Sequence, residues 1–253
     1  MLLHVFFGRS FPLFTHTRTV IQLFTYQSDV SHHNGKTQAV TLFMDSCVAA
    51  GYTGRNQESV QAHIEELKKM GVPTPYAIPA LYWITPARLT NADELLVVGD
   101  QTSPEVEFFL AKGKDGTLYV TVASDHTDRE LEAVSVGKAK QICDKVVGDI
   151  FWKVDDVADH WDKIEIHSHV LHDQEWVTYQ SGTLGQILHY SELLKIIAED
   201  RPAGEKPSLL SGTIPIRGGE TLFTSACKIS MKDPVLNREI VKSYQITSIP
   251  DRS

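Results

Sequence analysis

Pro104-Glu105-Val106-Glu107-Phe108-Phe109-Leu110 runs on through Lys114-Asp115-Gly116 to Leu118–Ala123, and Ser124-Asp125-His126-Thr127-Asp128-Arg129-Glu130-Leu131-Glu132 follows. Two β-branched or aromatic runs flanking an Asp-Gly turn predict a hairpin with strands at Val106 to Ala111 and Leu118 to Ala123. Side chains alternate along a strand, so Glu105 and Glu107 share a face, and the return strand carries Asp125 back toward them. Carboxylates held that close repel one another unless a cation lies between them, and hard oxygen ligands suit Mg²⁺, Mn²⁺ or Ca²⁺. An isolated Glu-x-Glu is more often the solvated face of an edge strand. The second acidic block, one hairpin later, is what favours a metal centre.

Strand signals extend outward in both directions. Val20 to Tyr26 and Thr37 to Phe43 flank His33-Asn34-Gly35-Lys36 as another hairpin. Ser59 to Met70 places Val60, Ile64 and Leu67 on one helical face and stops at Gly71. Pro73, Pro75, Pro79 and Pro86 impose an extended segment. Leu95 to Val98, Lys163 to Leu171 and Phe223 to Ile249 are strand-like, and Thr183 to Glu199 reads as a helix with a buried face. The class is α+β with β in excess. Residues 1–50 supply N-terminal strands to the same unit as 51–253, with no linker between them.

Composition narrows the function classes. The 253-residue chain has a net charge of -8 and scattered Lys and Arg, which offers no basic surface to nucleic acid. No run approaches the roughly 20 apolar residues of a membrane span. Cys47, Cys143 and Cys227 are far apart and odd in number, which points to a reducing, cytoplasmic setting. The first 28 residues lack Asp and Glu and carry Arg9 and Arg18. A mitochondrial transit segment is the alternative there, but the low Arg density favours an ordinary N-terminal strand.

These residues resemble the fumarylacetoacetate hydrolase superfamily, in which a Glu-x-Glu at the start of a strand precedes an Asp-x-Thr-x-Arg-Asp block. Glu105, Glu107, Asp125, Thr127 and Arg129 occupy those positions, with Glu130 where Asp is usual. Gly54-Arg55-Asn56 is similar to the family's Gly-x-Asn, His63-Ile64-Glu65-Glu66 to its His-x-x-Glu, and Ala139-Lys140 to its lysine segment. Tyr179-Gln180-Ser181-Gly182-Thr183 and Ser211-Gly212-Thr213-Ile214-Pro215 follow in the family's order. The likeness spans about residues 51 to 250. His63 is three residues further from the Asn than in typical members, Glu132 replaces a Gln, and Ile214 is inserted.

The resemblance implies a mixed β-sandwich roll, a homodimer, and a Mg²⁺ (or Mn²⁺ or Ca²⁺) ion held by Glu105, Glu107 and Asp125. It implies catalytic roles for His63, Glu66 and Lys140, with Lys138 as the competing lysine, and substrate contacts from Arg55, Arg129, Gln180 and Thr213. His63 and Glu66, three apart on a helix, face one side, where the carboxylate can orient the imidazole. The implied substrate is a small oxo or diketo acid and the implied reaction hydrolysis of a C–C bond beside a carbonyl. Decarboxylation, tautomerisation or hydration on the same scaffold, and oxo-acid binding without turnover, are the alternatives. A rival zinc site at His167-Ser168-His169 with His172 and Asp173 rests on strand spacing alone.

Overall fold

The computed structural model describes residues 23–32, 35–69, 74–200 and 206–252, and omits the side chains of His63, Glu66 and Leu67. Within that span the chain is β-rich α+β. One sheet has ten strands and another five, with a small two-stranded pair between Thr102–Ser103 and Thr127–Asp128.

The larger sheet closes on itself. Val106–Gly113 pairs with Leu118–Ser124 and Thr37–Met44, the latter with Phe24–Ser31, that strand with Ile150–Lys153, and the last again with Leu118–Ser124. The predicted N-terminal hairpin therefore completes a ring of five strands. Residues 20–22 and 33–34 of that prediction lie outside the described residues.

Alternation along Val106–Gly113 divides the interior. Val106, Phe108 and Leu110 pack in a core shared with the five-stranded sheet and with Leu193 and Ile197 of the helix Tyr190–Asp200. Phe109 and Ala111 pack on the other side with Leu42, Met44, Ala123 and Phe151. Glu107 belongs to this second face by its parity.

Two departures from expectation matter for the site. The predicted helix from Thr183 to Glu199 is split into a 3-10 turn, Leu184–Gln186, and the helix Tyr190–Asp200. The break arises because Gly54 bridges Ile187, Leu188 N–H donates to Thr53 O at 2.8 Å, and Arg55 N–H donates to Gln186 O at 2.9 Å. A backbone donor or acceptor spent on a neighbouring segment is unavailable to a helix. The second departure is a short helix, Val136–Ile142, which buries Ala139 and Lys140.

Helix Gln57–Lys69 begins two residues before its predicted start, and Asn56 caps it, its side-chain oxygen accepting from Ser59 N–H at 3.0 Å. Asn56 of the Gly-x-Asn element thus has a local structural task. No helix among the described residues is long and apolar enough to cross a membrane.

Candidate metal centre

Hairpin register assembles the centre. Val106 pairs with Ser124 and Glu107 with Ala123, and one residue further Asp125 N–H donates to Glu105 O at 2.9 Å. Carboxylate oxygens of Glu105, Glu107 and Asp125 then lie within 4.8 Å of one another. Glu107 and Asp125 have no solvent exposure, and Glu105 is partly covered.

Three cations surround this charge. Lys140 Nζ donates to Glu105 Oε2 at 2.9 Å and to Asp125 Oδ2 at 2.5 Å. Arg129 reaches Glu105 Oε1 at 3.1 Å, Glu132 at 2.8 Å and Ser103 Oγ at 2.7 Å. Lys145, entirely buried, sits 2.7 Å from Asp125 Oδ1 and donates to the His126 carbonyl at 2.5 Å.

The electrostatic consequences differ by residue. Burial alone would raise Glu105, but Lys140 and Arg129 outweigh it and hold the carboxyl at about 2. Glu107 is pushed well above the usual range by burial and then by the charge on Asp125. Burial opposes the Lys140 ammonium, yet Asp125, Glu105 and Glu107 raise it. Burial, with Lys145 and Arg129 nearby, drives His126 down to about 3, so its imidazole is neutral.

The donor set fits a divalent cation. All three groups are hard carboxylate oxygens. Glu107 Oε1 is buried with no hydrogen-bond partner, a costly state for an oxygen in an apolar interior. Glu107 Oε2 accepts from Gly212 N–H at 2.9 Å. Only glycine permits that approach: at φ +84° an added Cβ would stand 2.2 Å from Thr53 Oγ1 and 2.9 Å from Ala50 O.

The other expected site residues are distributed unevenly. Lys140, not the exposed Lys138, is the lysine at the centre. Arg55 is turned to a bidentate pair with Asp162, at 2.6 and 2.7 Å, and to Ile187 O at 2.7 Å. Gln180, expected at the substrate, is engaged within the protein. Its amide donates to Thr213 Oγ1 and Ile214 O, its carbonyl accepts from Val106 N–H and Ser168 Oγ, and it has no exposure, so it braces strand against loop. Thr213 Oγ1 in turn donates to Val106 O at 2.8 Å, which spends its hydroxyl proton inside the protein. His63 and Glu66 fall within the helix Gln57–Lys69, and their side chains lie outside the described residues.

The rival histidines do not converge. His167 meets Ser181 Oγ at 3.1 Å and Glu165 at 3.6 Å, while His172 lies 3.6 Å from Asp173. The acidic triad is the group of three or more potential ligands found among the described residues.

Sequence reasoning missed Lys145, Tyr52 and Tyr82. Tyr52 has φ 58°, a strained backbone for a bulky residue, and feels the charges of Glu132, Lys140 and Glu105. Tyr82 packs its ring against the backbone of Gly51 and Gly137, one helical turn before Lys140, and burial pushes its phenol up to about 12. Tyr52 lay in a stretch legible only as a loop, and Lys145 followed an acidic residue with no pattern to mark it as buried.

The profile of a family described as "Protein of unknown function (DUF2848)" matches residues 50–244. No curated protein matches the chain. Among solved structures, that of Cg1458 aligns with a TM-score of 0.61 at 15% identity, covering 84% of this chain and 80% of that one. 2-Keto-3-deoxy-D-arabinonate dehydratase complexed with magnesium and 2,5-dioxopentanoate aligns with a TM-score of 0.58 at 16% identity, covering 81% and 74%. At these identities the likeness is one of fold, and the fold is the β-rich roll of fumarylacetoacetate hydrolase type.

Proposed function

The chain belongs to the DUF2848 family, and on the geometry of its acidic centre we propose that it is a metal-dependent enzyme of the fumarylacetoacetate hydrolase superfamily acting on a small oxo acid. The observation that carries this reading is the convergence of the largely buried Glu105, Glu107 and Asp125, with Glu107 Oε1 unsatisfied. A bound Mg²⁺ or Mn²⁺ would supply chelation of adjacent oxo and carboxylate oxygens and stabilise charge developing on the oxo oxygen.

The chain's own groups complete the assignment. Glu105, Glu107 and Asp125 would hold the ion. Lys140, whose ammonium already lies among them, donates a hydrogen bond to the substrate's oxo oxygen as it gains charge. Arg129 orients Glu105 and keeps the rim attractive to an anionic substrate. His63, oriented by Glu66, takes the proton from the attacking water. A cytoplasmic homodimer belongs to the same reading.

We favour C–C hydrolysis. A second reading, dehydration of a sugar-derived oxo acid, draws support from the neighbour named as a 2-keto-3-deoxy-D-arabinonate dehydratase. A screen of acylpyruvates and 2-keto-3-deoxy acids with Mg²⁺, read by mass spectrometry in heavy-oxygen water, separates the two. Label in a cleaved acid fragment supports hydrolysis, and loss of water without cleavage supports dehydration. Tight binding without turnover across the screen would sink the enzymatic reading.

A further inference from the structure

We infer that Lys145 is a positioning residue that sets which divalent cation the acidic centre takes, by holding one oxygen of Asp125 so that this carboxylate ligates through a single atom. This rests on the metal-centre reading above and goes beyond it.

On each of the three carboxylates one oxygen is approached by a protein donor other than Lys140, at Asp125 through an ion pair rather than a hydrogen bond. Asp125 Oδ1 lies 2.7 Å from Lys145 Nζ. Glu105 Oε1 lies 3.1 Å from Arg129, and Glu107 Oε2 accepts from Gly212 N–H at 2.9 Å. Two of the remaining oxygens share Lys140 as their partner. Glu105 Oε2 and Asp125 Oδ2 both meet Lys140 Nζ, and Glu107 Oε1 has no hydrogen-bond partner. An ion that took the place of the Lys140 ammonium would meet one such oxygen from Glu105 and one from Asp125, with Glu107 Oε1 as the third.

Cation preference follows from that count. Ca²⁺ takes about six to eight oxygens and readily uses both atoms of a carboxylate, whereas Mg²⁺ keeps about six, tightly octahedral, with waters among them. Blocking the second oxygen of every carboxylate handicaps Ca²⁺ and leaves room for the waters or substrate oxygens that complete a Mg²⁺ shell.

Lys145 is the lock best suited to this task. Its side chain has no exposure, and its Nζ is tied additionally to the His126 carbonyl at 2.5 Å. Its strand is flanked on both sides, Val146 pairing with Ser124 and Lys145 with Leu89. Nothing in the proposed reaction uses its amine, so its position is explained by what it does to Asp125.

The test titrates chelator-treated protein calorimetrically with Mg²⁺, Mn²⁺ and Ca²⁺ alone. Wild type is expected to prefer Mg²⁺ and Mn²⁺ over Ca²⁺. Lys145→Met should shift the Ca²⁺-to-Mg²⁺ affinity ratio at least about tenfold toward Ca²⁺, because Asp125 is then free to bind through both oxygens. The lost positive charge acts alike on both ions, so the ratio isolates geometry. An unchanged ratio overturns the inference and leaves the metal centre standing; wild type that binds no divalent ion overturns both. Should Lys145→Met fail to fold, a crystal structure of the wild type with Mn²⁺ decides: Asp125 bound through one oxygen with Lys145 on the other supports the role, and bidentate Asp125 overturns it.

Discussion

Lys140 and Lys242 are both nearly buried ammonium groups among carboxylates, and they do different things. Lys242, 3% exposed, meets Asp93 at 2.6 Å, Asp149 at 3.2 Å and the Asn91 carbonyl at 2.6 Å. The side chains of Asp93 and Asp149 are 88% and 52% exposed, so water solvates what the lysine does not. Around Lys140, Asp125 and Glu107 are wholly buried, and one Glu107 oxygen has no hydrogen-bond partner. A buried ion pair is weak evidence of function, because a structural salt bridge looks much the same. Carboxylates that are themselves buried, with oxygens that have no hydrogen-bond partner, are what distinguish the first cluster from the second.

The comparison breaks most visibly if the two lysines are removed. Lys140→Met in metal-free protein should cost about 3–5 kcal/mol, the usual penalty for stranding a buried partner charge. Saturating Mg²⁺ should restore much of it, since the ion replaces the missing positive charge. Urea unfolding with and without Mg²⁺ measures both. No loss without metal would mean that the carboxylates do not depend on that ammonium.

Removing a ligand should be nearly as severe for the ion. Glu107→Ala is expected to weaken Mg²⁺ binding roughly 100-fold, about 2.7 kcal/mol, and to erase metal-induced thermal stabilisation. Asp149→Asn, beside Lys242, should leave both unchanged. Calorimetric titration of the two variants checks the contrast.

Acidity should separate the clusters in sign. Glu107 has a raised folded pKa, so its contribution is fully present below the unfolded value near 4.3 and is lost as pH rises through the folded one. Asp93 is lowered by its hydrogen bond and charge contact with Lys242, so its contribution is present above about 3.9 and is lost as pH falls through the folded value. Unfolding free energies of metal-free protein against pH should therefore show Glu107→Gln removing a loss that sets in as pH rises above about 4.3, and Asp93→Asn removing one that sets in as pH falls below about 3.9. Identical slopes for both variants would refute the distinction.

The smallest effect belongs to Lys242→Met. With its aspartates left in water, the cost should be within about 1 kcal/mol, in the range of exposed ion pairs, and Mg²⁺ should not rescue it. Thermal unfolding at low and high salt tests this.

How legible these features were depended on how local their causes are. The hairpin that brings Asp125 to Glu105 and Glu107 was readable because period-two alternation and an Asp-Gly turn determine register over fewer than 30 residues. The family resemblance pointed to Lys140 with Lys138 as the competitor, and the burial that separates the two was not readable, because lysine is ordinarily a surface residue. The helix from Thr183 was overextended because apolar periodicity says nothing of Thr53–Arg55, more than 100 residues earlier, claiming the backbone at 186–188. The bracing contacts of Gln180 were not readable, because they depend on which atoms arrive from Thr213 and Ile214.

By itself, then, the amino-acid order determined a β-rich chain and three carboxylates on one hairpin, since both follow from alternation and a turn. Tertiary structure alone decided the rest: which cation or backbone donor stands against which oxygen of each carboxylate. Arg129, Lys145 and Gly212 come from separate segments, and only folding sets them against Glu105, Asp125 and Glu107 at hydrogen-bonding or ion-pairing distance.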